Sequence, residues 1–501
     1  MIVHKFGGTS VGDARCFANV ADILIERQNQ NGAVSGGIVV VVSAMSGVTN
    51  QLIAGARAAA EGKDTVYREI KAGLLERHLE VVETLLPHSP ERLEVGGLVE
   101  DRLHDLERLY RSVAVLGELT VRGCDAIASF GEQLSANILA AVLRERGMRA
   151  QAVSAARLIV TDDTFGAALP LFDRTRQRLR QRIKPLVERG VVPIITGYIG
   201  ATEQGVTTTL GRGGSDYTAA IVGAGLDADE VWIWSDVNGI LTADPNIVPQ
   251  ARTLAELSYA EAAELAYYGA DVLHPKTIRP VVEAGIPLRI ANTFNPLHPG
   301  TLIVEKPGPE RERLPAIIST TGLSMIVVGS QDDTWTLQMS ARALQKLCEA
   351  GVDVRMFSQS FSEHSLNLIV REEDQAHCLK TLCREFGTDP APVQPIEASS
   401  GETTFRKLDD VYNLETKEKV ATISVVGVPG WNDTGIVSHA FAALGKHGTR
   451  VIAVAQAATE YSVSFCIPED QVADTVRFLH RELGLEGERR GSRPFDIGGS
   501  R

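Results

Sequence analysis

Residues 38–47 read Ile-Val-Val-Val-Val-Ser-Ala-Met-Ser-Gly, five β-branched residues running straight into a cluster of small ones. A strand with one wet face alternates apolar and polar residues, whereas a parallel strand covered on both faces reads as a continuous apolar run. The run and its ending therefore predict a buried parallel strand. Val191–Thr196 and Val231–Trp234 repeat the theme. Between these strands lie helix-like stretches, Ala14–Gln28 and Gln133–Arg146, each closed soon after by glycine or a polar turn. Such alternation predicts an α/β protein, a three-layer αβα sandwich around a mainly parallel sheet. Near 65–125 the alternation stops. Ile70, Leu74, His78, Leu79 and Val82, and beyond Pro87 and Pro90 also Leu103, Leu106, Tyr110 and Val113, fall at helical spacing. This is read as a helical excursion whose apolar stripe is packing surface.

At 501 residues the chain has room for about three domains of roughly 150 residues each. Lys and Arg number 50 against 63 Asp and Glu, a net charge of −13, which argues against nucleic-acid binding through a broad basic surface. Aromatic residues make up only 5%, too few for base-stacking platforms. The cysteines, Cys16, Cys124, Cys348, Cys378, Cys383 and Cys466, show no C-x-x-C pairing. They read as reduced thiols, not as a zinc site or disulfide framework. No run of about 18 apolar residues occurs, and the N-terminus lacks a signal-peptide core. A soluble cytoplasmic protein without membrane partners is expected.

Glu305–Arg313 reads Glu-Lys-Pro-Gly-Pro-Glu-Arg-Glu-Arg, a solvated linker by its prolines and charge. Beyond it the chain repeats itself. VRMFSQSFSEHSLNLIV at 354–370 aligns without a gap with VIAVAQAATEYSVSFCI at 451–467, so that Gln359 meets Gln456, Ser365 meets Ser462 and Gly351 meets Gly448. A helical stripe precedes each glycine and an alternating strand follows, which predicts two copies of one small α/β module.

The chemistry-bearing stretches cluster at predicted strand ends, where open α/β sheets bind ligands. Lys5-Phe-Gly-Gly-Thr-Ser-Val-Gly12 leaves a short strand. Gly7 and Gly8 can bring backbone N–H groups close to an anion, with Lys5 adding charge, although an unrelated tight turn reads equally well. Leu210-Gly-Arg-Gly-Gly-Ser-Asp-Tyr-Thr-Ala219 is sharper. Gly213 and Gly214 expose donors, Arg212 offers a bidentate clamp, and Asp216 lies beside them. Capping by Ser215 or Asp216 accounts for the helix start but not for an arginine between glycines. Ser43–Asn50 supplies small hydroxyls, among them Ser43 and Thr49. Glu132 opens a helix after Phe130-Gly131, and Ser235-Asp236 ends another strand. Neither a G-x-x-x-x-G-K-[ST] loop nor a G-x-G-x-x-G turn is present.

In their order, KFGGTSVG, SAMSGVTN, FGE, TLGRGGSDYTA, SDVNGI, ADP followed by N-I-V-P, and YYGADVLHPKT resemble the signatures of aspartate kinases of the amino acid kinase family. The similarity covers residues 2 to about 304, and the repeat resembles the tandem ACT domains of the long-form enzymes. The resemblance implies a catalytic domain at 1–304, a linker at 305–315, ferredoxin-like βαββαβ ACT modules at 316–398 and 416–490, and a tail at 491–501. It implies transfer of the γ-phosphoryl of ATP, with Mg2+, to the β-carboxylate of L-aspartate. That carboxylate is ionised at neutral pH, so the reaction asks for positioning and charge neutralisation more than for a strong base. Carried over position by position, Lys5 would stabilise the transferring phosphoryl, and Asp216 would organise lysine or metal nearby. Arg212 would clamp the α-carboxylate and Glu132 accept the ammonium, with Ser43, Thr49 and Ser215 completing the pocket. Gly7, Gly8, Gly213 and Gly214 would donate to phosphates, and Ser235 and Asp236 would meet the nucleoside. The metal ligands stay unassigned. Gln359 and Gln456 would face an amino-acid effector such as lysine or threonine, the glutamines leaning toward threonine. A homodimer through the ACT domains is implied, with tetramers left open.

The chain departs from that pattern on the nucleotide side. Leu241 and Asn246 stand for a tyrosine and an arginine, Ser235 for a threonine, and Asp271 for a lysine, for which Lys276 would compensate. Two alternatives follow, another small-molecule carboxylate kinase of this fold and an amino-acid sensor with weakened turnover. Arg212 with Glu132 speaks against the first, because the pair suits an α-amino acid. Intact Lys5, Arg212 and Asp216 speak against the second.

Overall fold

The computed structural model describes residues 1–31, 37–267, 275–308, 314–329, 335–360, 364–386, 404–408, 412–427, 436–456 and 462–486. They form two compact units, one of Met1–Ile240 with Thr253–Arg311, the other of Leu241–Arg252 with Glu312–Arg501.

The first unit begins β1 (Ile2–Phe6), α1 (Ala14–Asn31), β2 (Ile38–Val42) and α2 (Val48–Ala60). A helical block follows, α3 (Asp64–Leu85), α4 (Pro90–Leu116), α5 (Val121–Ala128) and α6 (Phe130–Glu145). Then come β3 (Ala150–Val153), α7 (Phe172–Arg182), α8 (Lys184–Glu188), β4 (Val192–Thr196), β5 (Ile199–Ala201), β6 (Thr207–Thr209) and α9 (Gly214–Leu226). The unit ends with β7 (Glu230–Ser235), β8 (Glu256–Ser258), α10 (Tyr259–Tyr267), α11 (Pro275–Ala284), β9 (Leu288–Asn292) and β10 (Thr301–Val304).

Eight of these strands make one sheet in the order β3-β4-β2-β1-β7-β9-β10-β8, parallel except where β10 runs against β9. The expected strand β2 is buried at all five positions, as its unbroken apolar run requires. Register aligns Phe6 with Val42 on one side and Trp234 on the other, and Val42 with Thr196. The carboxyl ends of four strands therefore share one edge, and the loops that leave them converge there.

Period-two alternation splits β1 between the two faces of the sheet. His4 and Phe6 turn toward α1, where Phe6 stacks on Trp234 at 5.7 Å and Trp234 Nε1–H donates to His4 Nδ1 at 3.1 Å. Burial, with Arg27 nearby, holds His4 down at about 3, so the ring stays neutral and its Nδ1 can accept. Lys5 turns the other way, toward α9. The 65–125 excursion is α3, α4 and α5, and its stripe packs as expected, with Leu74, Val82, Leu103, Leu106 and Tyr110 buried in the same core as Phe6 and Leu52. The stretch Val121–Glu145 is apolar and long enough to cross a membrane by composition, yet 83% of its apolar window is buried within the fold.

The second unit contains β11 (Ala316–Gly329), α12 (Leu337–Glu349), β12 (Val354–Ser360), β13 (Ser365–Arg371), α13 (Glu372–Phe386), β14 (Thr404–Leu408), β15 (Tyr412–Val426), α14 (Ile436–Lys446), β16 (Ala453–Gln456), β17 (Ser462–Pro468) and α15 (Val472–Glu482). Its sheet runs β12-β13-β11-β15-β17-β16. The long strands β11 and β15 lie antiparallel, and each serves both repeats. Ala316–Thr320 pairs with Thr422–Val426 beside β17, whereas Met325–Gly329 pairs with Asn413–Lys417 beside β13. Each repeat thus takes its fourth strand from the segment that precedes or follows the other. Gly351 and Gly448, aligned in the repeat, both follow a helix at positive φ (74° and 68°), the left-handed conformation that glycine adopts without a Cβ penalty.

One boundary expected at 304 is too simple. Leu241–Arg252 folds with the second unit. There Thr242 accepts from Ile317 N at 2.8 Å, its hydroxyl meets His480 Nε2 at 3.0 Å, and Ala243 and Val248 enter the core with Phe465 and Leu479.

Candidate active site

The converging strand-end loops enclose a cavity of about 700 Å3. Lys5, Gly7 and Gly8 come from the end of β1, and Ser43 and Thr49 from the end of β2 and the start of α2. Glu132 enters from the first turn of α6. Arg212, Gly213, Gly214, Ser215 and Asp216 form the loop into α9, and Ser235 and Asp236 lie at the end of β7. Residues scattered over more than two hundred positions thus share one cavity. The side chain of Lys276 lies outside the described residues, as does Asp271. Gln359 and Gln456 belong to the second unit, on β12 and β16 at the two ends of its sheet. Gln359 sits opposite Leu366 and Gln456 opposite Val463, the same place in each repeat.

At the centre Lys5 Nζ meets Asp216 Oδ1 at 2.6 Å, with only 10% and 18% of the two side chains exposed. The glycine loop can reach this pair because Gly211 (φ 77°) and Gly213 (φ 70°) flank Arg212 in the left-handed region, and Gly213 caps α9. Arg212 itself is exposed to the cavity mouth. The first turn of α9 lines the same space, its Gly214 N–H donated to the Gly211 carbonyl at 2.9 Å, and a helix N-terminus favours an anion.

Glu132 is 97% buried. Desolvation pushes its carboxyl up to about 8, against weaker lowering by the backbone N–H groups of Glu132 and Ala44. Its Oε2 has no hydrogen-bond partner among the described residues. A buried acceptor without a donor costs about 1–3 kcal/mol, and a ligand ammonium would relieve that cost. Ser235 Oγ lies 3.2 Å from Asp236 Oδ1 at the opposite end.

Several cavity groups escaped the sequence reading. Tyr198 lines the wall in a left-handed conformation (φ 64°), with its N–H donated to Thr218 Oγ1 at 3.0 Å. It follows β4, so the strand-end rule that selected Ser43 and Ser235 would have found it. Arg77 of α3 donates to the Ser46 carbonyl at 2.8 Å and to the Gly12 carbonyl at 2.9 Å, tying the loops after β2 and β1 together. Nothing local in an amphipathic helix marks that arginine. Among the described residues no group of three or more His, Cys, Asp or Glu side chains is placed to hold a metal ion. The acidic residues lining the cavity are Glu132, Asp216 and Asp236.

Residues 1–292 match the profile of the Amino acid kinase family, and 334–386 with 423–483 match that of the ACT domain. Aspartokinase 1, chloroplastic, of Arabidopsis thaliana is 31% identical over 97% of this chain and 80% of its own. The crystal structure of Escherichia coli aspartokinase III in complex with aspartate and ADP (R-state) superposes with a TM-score of 0.74 at 28% identity, covering 97% of this chain and all of that one. The same enzyme in complex with lysine and aspartate (T-state) gives 0.75 at 27%, covering 96% of this chain and 99% of that one. With this family profile over the first 292 residues and ACT matches further along the sequence, the chain belongs to the amino acid kinase family, among its ACT-bearing aspartokinases.

Proposed function

We propose that this cavity transfers the γ-phosphoryl of ATP to the β-carboxylate of L-aspartate, giving 4-phospho-L-aspartate and ADP, under feedback control through the ACT repeat. The observation that carries the reading is the buried, donor-less Oε2 of Glu132 in the same cavity as Arg212 and Lys5. Carboxylate and guanidinium together fit the two charged groups on the α-carbon of an amino acid. That orientation sends the substrate's own carboxylate toward Lys5.

The substrate nucleophile arrives ionised, so no protein base has to remove a proton from it. Lys5 provides positive charge where the transferring phosphoryl gathers negative charge, and Asp216 holds its ammonium in place. Gly7 and Gly214 shape the loops, their own N–H groups being donated to the Trp234 carbonyl at 3.3 Å and the Gly211 carbonyl at 2.9 Å, while those of Gly8 and Gly213 bind the phosphates and Ser235 and Asp236 hold the nucleoside. Asp216 or Asp236 would hold Mg2+ beside the phosphates, the acidic lining being too sparse for an all-protein cage. When bound, Mg2+ supplies further neutralisation of phosphate charge.

The effector is lysine, in keeping with the lysine complex of the E. coli neighbour and against the threonine leaning of the two glutamines in the sequence, and Gln359 and Gln456 bind it. The subunits pair as a homodimer through the ACT repeat, in a soluble cytoplasmic enzyme. The test of the reaction is purified protein with ATP, Mg2+ and L-aspartate, the acyl phosphate being trapped by hydroxylamine. Aspartyl hydroxamate is expected, and its absence from folded protein overturns the reading.

A further inference from the structure

Asp125, on α5, is 97% buried and lines no part of the cavity, yet its carboxylate holds two cavity walls at once. Oδ2 accepts from the backbone N–H of Gly166 at 2.9 Å and of Thr209 at 3.1 Å, and Oδ1 accepts from the Thr209 hydroxyl at 2.7 Å. Thr209 is the last residue of β6, directly before Leu210 and the glycine loop that carries Arg212. Gly166 lines the cavity, and its carbonyl packs against Gly211, 3.3 Å from where a Cβ there would stand. Leu210 N–H donates to the Tyr198 carbonyl at 2.9 Å, and the Thr209 hydroxyl also lies against the Tyr198 phenol. A buried carboxylate is expensive unless its lone pairs are filled, and here every donor comes from an element leading into the pocket.

We infer that Asp125 is a positioning residue for the amino-acid half of the site, fixing through Thr209 and Gly166 the loop that presents Arg212. The inference rests on the aspartate-binding reading of the pocket. The Ser235 end makes none of the Asp125 bonds, whereas Gly213 and Asp216 of the positioned loop also serve the phosphate side, so the effect falls mainly on aspartate and less on ATP.

The test compares the full chain with Asp125→Asn, Thr209→Val and Thr209→Ser in the hydroxamate assay, each substrate varied in turn. Asn keeps an acceptor for the two backbone N–H groups but loses the charge, its amide N–H facing the Thr209 hydroxyl, which turns to accept, and Val removes the hydroxyl at constant shape. Thr209→Val raises the aspartate KM roughly tenfold, the scale of one lost charged hydrogen bond, and Asp125→Asn raises it by less, while the ATP KM rises less than the aspartate KM in both. Thr209→Ser keeps the hydroxyl and recovers most of the aspartate KM. The double variant Asp125→Asn/Thr209→Val is worse than either single one, since the buried Asn amide N–H then faces a methyl group with no acceptor. If Asp125→Asn does not fold, the Thr209 pair decides alone. An unchanged aspartate KM in Thr209→Val and the double variant, or aspartate and ATP KM values rising by the same factor, overturns the inference while leaving the reaction standing. A parent chain that makes no hydroxamate brings down the functional reading and this inference with it.

Discussion

Lys5 Nζ and Asp216 Oδ1 meet at 2.6 Å, the first from the end of β1 and the second from the first turn of α9. With at most 18% of either side chain exposed, the pair is poorly hydrated and each charge depends on the other. Lys5→Met should reduce turnover by about 10²–10³-fold, the usual scale for losing one transition-state charge donor. It should also cost about 3 kcal/mol of stability by stranding Asp216. Adding Asp216→Asn should restore the melting temperature but not the activity. A double variant as unstable as the single one would mean that the stranded Asp216 charge is not the source of the loss.

Glu132 gives the enzyme a pH signature. Its carboxyl stands at about 8 in the empty pocket, above an unfolded value near 4.5. Between those values the native state holds a proton that the unfolded state has released, so this group makes stability fall as pH rises from 4.5 toward 8. Glu132→Gln removes that loss, and its melting temperature should gain on the parent progressively from pH 5 to pH 8. Binding an ammonium requires the ionised form. Aspartate affinity in the parent should therefore improve by up to roughly tenfold per pH unit as pH climbs toward 8, then level off. Calorimetric titration of aspartate at several pH values reads this directly, and a flat profile would contradict it.

Much of this site is legible in the sequence because strand ends carry local marks. An apolar run that stops in small or polar residues announces both the strand and the place where its loop opens, as at Val42-Ser43 and Trp234-Ser235. Glu132 is legible as a first-turn carboxylate, but its burial depends on Ala44, Val48 and Leu52 packing above Gly131. Those contacts are long-range, and no periodicity reports them. Arg77 and Asp125 are invisible for the same reason: each reads as an ordinary polar residue on an amphipathic helix. The placement of Leu241–Arg252 with the second unit is equally hidden, since it turns on Thr242 meeting His480 across 238 positions.

Arg77 should matter to both substrates, because it bridges the carbonyls of Gly12 and Ser46 from the loops that flank the cavity. Charge-assisted bonds of this kind contribute about 1.5–3 kcal/mol each. Arg77→Met should lower kcat/KM at least tenfold for aspartate and for ATP alike. Arg77→Lys keeps the charge but cannot span two carbonyls with a planar fork, and should recover only part of the loss. A defect confined to one substrate would show that the two loops are positioned independently.

The glutamines at matched positions of the two repeats should set effector response. Gln359 is half-buried beside Leu366, and Gln456 is exposed beside Val463. Gln359→Ala and Gln456→Ala should each raise the lysine concentration for half-inhibition roughly tenfold, with uninhibited activity retained. Threonine, tried alongside, identifies the preferred amino acid. Equal sensitivity in parent and both variants would remove the glutamines from the effector site.

Gly131 places Glu132 by allowing α6 to approach the end of β2. A Cβ there would stand 2.6 Å from the Ala44 Cβ and 3.2 Å from Val48 Cγ1, closer than side chains tolerate. Gly131→Ala must therefore push α6 away from Ala44 and drag Glu132 with it. Overpacking of this kind costs about 1–3 kcal/mol. The melting temperature should fall, and the aspartate KM should rise more than the ATP KM, because Glu132 serves the amino-acid end. Ala44→Gly removes the obstructing methyl, so Gly131→Ala/Ala44→Gly should regain most of the lost stability and aspartate affinity. A double variant with no recovery would mean that the closeness of α6 to β2 is not what seats the carboxylate.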